Sequence, residues 1–463
     1  MKPSYVPRGL AVLAAMFVMS LATTAEAVPL FERKNNAFSG FACNNNGCWT
    51  NYSILVDINN DGWLDYIEPN YSGFFSQGAP QPLVVYSNSG NGAFQLVSQF
   101  SVADFSGRLR QVAFADVTGD GYVDMYAPDG YGGEGGLPDA FFINQGDGTF
   151  VDEADVRLPA EQAYAGAVRF GDLDGDGDMD IFVANGYALG EIDGPYGRVL
   201  INDGTGVFVD GGSVPMGGQG YDPDDVDLLD FDRDFDLDVL INMHSGKSSL
   251  WENDGAGNFT DVTDQWVDQP AQGFHYNPAV CDVDGDGDLD VWTDNMAPGY
   301  QEQLAINDGS GNFTDETGMR VSGNMSGADD NGVQCADVDG DGDFDAVIFN
   351  LFTGNPNNPR VERVLYNDGA GNFTGSMDDW DEFTVNTDAT LWGDAADLDE
   401  DGRLDYITSQ GETAGVAVVY IGNMNVPQDA NPPNIIAVSQ VPDMQAADAE
   451  PAVRFAVSDE VVS

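Results

Sequence analysis

The stretch RFGDLDGDGDMDIFVAN, residues 169–185, decides how this chain folds. Its centre, Asp172 to Asp180, sets acidic residues at positions 1, 3, 5 and 9 of a nine-residue loop, with glycine at position 6. The pattern D-x-D-x-D-G-x-x-D recurs as DINNDGWLD (57–65), DVTGDGYVD (116–124), DFDRDFDLD (230–238), DVDGDGDLD (282–290), DVDGDGDFD (337–345) and DLDEDGRLD (397–405). Successive starts differ by 59, 56, 58, 52, 55 and 60 residues. A near-constant period of this size marks a repeat architecture.

A second pattern, N-x-G-x-G-x-F, follows six of the seven loops and ends at Phe94, Phe150, Phe208, Phe259, Phe313 and Phe373. Asn, Gly and Asp in such clusters make tight hairpins. Short apolar runs flank both patterns: LVVY (83–86), AFFI (140–143) and RVLI (198–201) before the hairpin, AVIF (346–349) and YIT (406–408) after the loop. Each repeat therefore reads as four short strands, and no segment carries helical periodicity. Seven four-stranded units predict an all-β chain folded as a seven-bladed β-propeller, which leaves only short, protected strand edges. The seventh repeat lacks its Gly-rich hairpin, and a fragment of one stands at the other end of the chain, in the sequence ending at Phe38. From each internal Phe to the next acidic loop is 22 to 24 residues, and from Phe38 to Asp57 it is 19. The N-terminal segment is thus in phase as the outer strand of the last blade, which closes the ring.

The domain boundaries follow from changes of texture. Residues 1–27 read as a secretory signal, with Lys2 and Arg8 ahead of an apolar run and Ala25-Glu26-Ala27 as the cleavage site. The propeller occupies 28–425, a Pro-rich linker 426–433, and the alternating strand patterns of 434–463 read as a short β-sandwich-like segment, the truncated start of an Ig-like domain or a tail. No later run is long enough to span a bilayer, so the mature chain is expected to carry no transmembrane segment and to be secreted, periplasmic or on the cell surface. Export permits disulfides. Cys43 and Cys48 enclose four residues and are expected to pair. Cys281 and Cys335 fall at nearly equivalent places in successive repeats, offset by one residue, and are read as buried free thiols.

Acidic groups number 78 against 16 basic, a formal net charge of −62, while 42% hydrophobic residues suffice for a packed core. Such a charge repels phosphate backbones and argues against nucleic acid as a partner. It favours cations. In each loop, side-chain oxygens on alternate residues, a sharp turn at Gly and a further Asp at position 9 make a flexible oxygen cage of the kind Ca²⁺ takes, and no Cys/His cluster offers itself to Zn²⁺. The candidate ligands are Asp57, Asn59, Asp61 and Asp65; Asp116, Thr118, Asp120 and Asp124; Asp172, Asp174, Asp176 and Asp180; Asp230, Asp232, Asp234 and Asp238; Asp282, Asp284, Asp286 and Asp290; Asp337, Asp339, Asp341 and Asp345; and Asp397, Asp399, Asp401 and Asp405, for up to seven Ca²⁺. Loop 116–124 is weaker through Thr118, and loop 230–238 is doubtful because Phe235 stands where Gly belongs.

The string RFGDLDGDGDMDIFVAN, with Phe170-Gly171 ahead of the loop, and the hairpin NDGAGNF at 253–259 and 367–373 resemble the FG-GAP, or VCBS, repeats of the integrin α-chain propeller and its bacterial relatives. The resemblance covers about residues 28–425. It implies Ca²⁺ loops between the first and second strands of each blade, on the lower face, and adhesion or ligand binding as the role. The irregular connections would then form the opposite face. Among the residues there, Arg108, Arg110, His275 and Tyr276 are the candidates for contacting an extracellular glycan or protein ligand. The same four would serve the enzymatic alternative, a Ca²⁺-dependent polysaccharide lyase needing a Tyr or His base and an Arg for the uronate. A structural spacer in a larger surface protein is the third reading. No catalytic motif such as G-x-S-x-G or H-E-x-x-H is present.

Overall fold

The computed structural model describes residues 29–40, 50, 52–70, 80–97, 105–129, 138–159, 165–185, 196–215, 223–243, 247–267, 275–294, 301–324, 329–352, 362–376, 379–381, 390–410, 417–428, 434–438 and 455–458. The expected signal segment, residues 1–27, and the expected pair Cys43 and Cys48 lie outside them. Seven sheets of the described chain, the seven blades of a propeller, each hold four antiparallel strands, in sequence order in six of them and completed by Phe31–Arg33 in the seventh, and three carry a further short strand running parallel. The third blade shows the plan: an inner strand Ala165–Gly171, a second Asp180–Asn185, a third Tyr196–Asn202 and an outer Phe208–Pro215. The acidic loop joins inner to second strand, and the Gly-rich hairpin joins third to outer. Single helical turns, Ala154–Arg157 and Thr317–Arg320, follow two of the outer strands; they are too short to announce themselves as periodicity.

Blades are joined through apolar faces. Phe182, Val199 and Val226 pack with Val239, Ile241 and Trp251 between the third and fourth blades, and Tyr126 and Phe141 pack with Val168 and Ile181 between the second and third. Each such side chain contributes about 1.5–3 kcal/mol on burial. A polar stitch accompanies this packing. The amide of each hairpin Asn donates to the carbonyl of position 2 in the preceding blade's loop: Asn144 to Ile58, Asn202 to Val117, Asn253 to Leu173, Asn307 to Phe231 and Asn367 to Val283, at 2.7 to 3.2 Å. Asn88 does the same to Leu398 of the seventh blade at 3.1 Å, so first and last blades are sewn together.

The seam itself differs from the phase read in the sequence. The strand beside Val418–Gly422 is Phe31–Arg33, with Phe31 opposite Gly422. That is the pairing Phe94 makes with Asn88, so Phe31, not Phe38, is the counterpart of the hairpin phenylalanines. Phe38–Ser39 instead runs parallel to Phe94–Leu96 as a fifth strand on the first blade. With no hairpin to constrain it, the closing strand sits seven residues earlier than the motif fragment indicates.

Cys281 and Cys335 form a disulfide, Cα to Cα 6.4 Å, which corrects the expectation of free thiols. The one-residue offset does turn the two side chains to opposite sheet faces. Neighbouring blades pack opposite faces against each other, however, so the offset brings the thiols together. Beyond the ring, Asn434–Val438 and Phe455–Ser458 pair antiparallel.

Candidate metal centre

In each acidic loop the first Asp folds the turn. Asp282 accepts from the N–H groups of Gly285, Asp286 and Gly287 at 2.8, 3.2 and 2.9 Å, and Asp337 and Asp116 repeat this. The sixth residue lies in the left-handed region in every loop, with φ from 81° to 97° at the six glycines. Phe235 adopts φ 71° there, a conformation that costs a side-chain-bearing residue roughly 1–2 kcal/mol. Even so, its loop gathers three carboxylates, so the substitution strains the turn without dispersing the site.

The ninth Asp ties the loop to the blade. One oxygen of Asp180 accepts from Leu173 N–H and the other from Asn202 N–H, both at 2.8 Å. Asp238, Asp290 and Asp345 make the same two bonds. These carboxyls are buried, and burial, with smaller pushes from the loop's other carboxylates, raises them against the pull of the backbone N–H groups. They reach about 8 at Asp238, Asp290 and Asp345 and about 6 at Asp180.

Five loops bring three carboxylates together with one oxygen of each within 4.8 Å of the others: Asp172, Asp174 and Asp180; Asp230, Asp232 and Asp234; Asp282, Asp284 and Asp290; Asp337, Asp339 and Asp345; Asp397, Asp399 and Asp405. An oxygen each of Asp230, Asp284 and Asp399 is buried with no hydrogen-bond partner among the described residues. That is the state of a donor set that fits a hard cation. The remaining loops have a neutral third position. Asn59 donates to Asp65 at 3.2 Å and so stands in for part of a cation's work, and the Thr118 hydroxyl is buried without a partner among the described residues.

One set of residues escaped the sequence reading. At position 7, Asp178, Asp236, Asp288 and Asp343 rest on the hairpin glycines Gly204, Gly255, Gly309 and Gly369, where an added Cβ would lie 2.6 to 2.7 Å from the carboxylate. Trp63 and Tyr122 cover Gly90 and Gly146 in the same way. Loop and hairpin are therefore in direct contact, and the recurring Asp at position 7 was the available signal.

The four candidates for ligand contact are not displayed. Arg108, Arg110, His275 and Tyr276 are all under 5% exposed. Arg108 pairs with Asp129 at 3.1 Å and Arg110 with Asp224 at 2.5 Å. His275 Nδ1 donates to the Asp294 carbonyl at 2.6 Å, and burial pushes its imidazole down. Tyr276 N–H donates to the Asp294 carboxylate at 2.6 Å. These residues precede or begin inner strands, at the end opposite the acidic loops, and form a buried polar belt. There the Tyr52 hydroxyl, under the Arg110 guanidinium, bonds Asn277 and the Asp224 carbonyl. The expectation of an exposed contact surface is thereby corrected: Arg110 neutralises a buried acid. Arg110→Ala is expected to cost about 3–5 kcal/mol by leaving Asp224 uncompensated, read as a lower urea midpoint.

Residues 57–127, 131–183 and 230–293 match the FG-GAP-like repeat family. Cartilage acidic protein 1 of Xenopus tropicalis is 22% identical over 391 residues, covering 78% of this chain and 58% of that protein. The Mus musculus protein of that name is 23% identical, covering 91% and 67%, and the Homo sapiens one 23%, covering 86% and 62%. The chain thus spans 58–67% of the length of these relatives. The crystal structure of BBS1N in complex with ARL6DN, soaked with mercury, superposes with a TM-score of 0.52 at 10% identity, over 87% of this chain and all of that one. At that identity the likeness shows the fold alone. Among the described residues no helix is long and apolar enough to cross a membrane.

Proposed function

Since the chain carries FG-GAP-like repeats wound into a seven-bladed β-propeller, as in the integrin α-chain, we propose that it is an exported Ca²⁺-binding module for adhesion or ligand recognition, its partner an extracellular glycan or protein. The observation that carries the reading is the gathering of three carboxylates in each of five loops on one face of a ring. Oxygen-only donors on a flexible loop suit Ca²⁺ over smaller or softer ions. Bound there, the ion would neutralise the loops and rigidify the turns, and recognition would fall to the surfaces those turns hold in place. The resemblance to proteins named for cartilage and acidity agrees with an extracellular setting. The test is a screen of glycans and matrix proteins in Ca²⁺ and in EDTA. Binding in Ca²⁺ that disappears in EDTA is expected. Binding to nothing in either condition, or release of unsaturated oligosaccharides from a uronic-acid polymer, overturns the reading.

The raised ninth-position carboxyls give the loops a pH signature. Folded values near 6–8 exceed the unfolded value of about 3.9, so between those limits the metal-free native state holds protons that the unfolded chain has lost. Stability in EDTA is therefore expected to fall as pH rises from about 4 to 8. Ca²⁺ must displace those protons. Adding CaCl₂ to metal-free protein at pH 7 in weak buffer is expected to acidify the solution, and a constant pH would count against occupancy of these carboxylates.

A further inference from the structure

The axis of the ring holds a cavity of about 510 Å³, reaching from Tyr52 and Trp392 near the polar belt to Asp57 and Leu64 at the first acidic loop. Its chemistry is uneven. Ile54, Val56, Phe114 and Phe170 give it apolar walls. Of its charged groups, Arg169 is already held by Asp225 at 2.9 and 3.1 Å and lies 3.6 Å from Asp227, one cation against two acids. Among the described residues Asp394 has only neutral partners: it accepts from the Ser53 hydroxyl at 2.7 Å and from the Trp392 indole N–H at 2.8 Å. Gln334 also lines the space. The Tyr52 and Trp392 rings lie 5.5 Å apart at its inner end. The cavity thus has an excess of negative charge, a carboxylate without a cation among the described residues, and two aromatic rings, between apolar walls.

A bare metal ion does not fit this arrangement. Among the described residues no group of three carboxylate oxygens gathers here as in the acidic loops, and aromatic walls offer a hard cation nothing. An anionic ligand would meet uncompensated acid. We propose that the axial cavity binds a primary ammonium group carried on an unbranched apolar stem, with Asp394 as its counter-ion and the Tyr52 and Trp392 rings beside the cation. The ammonium supplies the positive charge that Asp394 lacks, and the stem lies along the apolar walls. A small amine and a lysine side chain share this chemistry. The inference deepens the recognition reading by giving it a ligand group and a place.

The test uses the full chain in Ca²⁺, titrated with n-pentylamine and followed by tryptophan fluorescence and calorimetry, with 1-pentanol as the uncharged control. Saturable binding of the amine and none of the alcohol is expected. Asp394→Asn should weaken it roughly tenfold or more. Gln334→Glu, which adds a carboxylate to the cavity lining, should tighten it several-fold, a gain that misfolding cannot mimic. Equal binding of amine and alcohol, or amine binding indifferent to both substitutions, overturns the proposal. A titration with Nα-acetyl-lysine amide separates the sources: binding at least as tight as that of pentylamine points to a protein side chain, weaker binding to a small amine. If pentylamine fails while the glycan and protein screen succeeds in Ca²⁺, the cavity assignment falls and the recognition reading stands.

Discussion

In excess EDTA the protein is expected to melt about 15 °C below its melting temperature in saturating Ca²⁺. An ion bound only by the native state stabilises by about 2.7 kcal/mol at a hundredfold excess over Kd. Five loops gather three carboxylates each, so together they would supply about 13 kcal/mol. Unfolding entropy of ~2.1 cal/mol/K per residue gives roughly 0.8 kcal/mol/K for a ring of about 400 residues, and the ratio is the shift stated. Scanning calorimetry in the two conditions decides it, and coincident curves would exclude metal dependence. Asp174→Asn apportions the effect. Position 3 bears charge but little of the loop's backbone scaffolding, with one N–H from Asp176 at 3.3 Å, whereas Asp172 holds two. The variant should melt about 3 °C lower in Ca²⁺ and no lower in EDTA.

Removal of residues 29–34 is expected to open the ring. Phe31 is wholly buried and packs against Trp380 and Tyr406, with ring centroids at 4.7 and 5.0 Å. Losing a phenylalanine from such a site costs about 3–5 kcal/mol by itself. The deletion also strips the antiparallel partner from Val418–Gly422 and the parallel partner from Trp380–Asp381. An uncovered strand edge is a template for pairing with other chains. Size-exclusion chromatography should show oligomers or aggregate, with melting reduced by more than Phe31→Ala alone produces. A monomeric deletion variant with unchanged melting would mean that the N-terminal strand is dispensable.

The ring was legible because its information is periodic. Glycine in the left-handed turn and Asp at positions 1 and 9 are demanded by local geometry, which repeats in each blade, so the seven loops and the four-stranded units could be read directly. What was missed depends on relations between blades. Phe31 carries no motif, because the hairpin that would identify it is replaced by the break between chain ends, and Gly422 stands in the place of the hairpin Asn. The Cys281–Cys335 pairing follows from how two sheets face each other, which alternation within one strand does not state. Arg110, His275 and Asp394 look like loop polar groups in sequence. Only the convergence of inner strands on the axis buries them, and at Asp394 a register shift between Thr390 and Trp392, near the start of its strand, re-aims the side chains there.

The placement of the closing strand has a mechanical consequence. Phe31 opposite Gly422 puts the incoming and outgoing chain at the same end of one antiparallel pair. Tension applied through the two tails therefore does not shear that pair, which would load its hydrogen bonds in parallel. Once the outlying bridge of Gln428 to Arg403 has parted, it peels them in sequence: Asn423 from Leu30, then Gly422 from Phe31, then Ile421 from Glu32. A tether pulled through both tails would yield at this zipper at low force while the disulfide between the fifth and sixth blades still held. A load borne through one tail and the surface of the ring would bypass the zipper altogether.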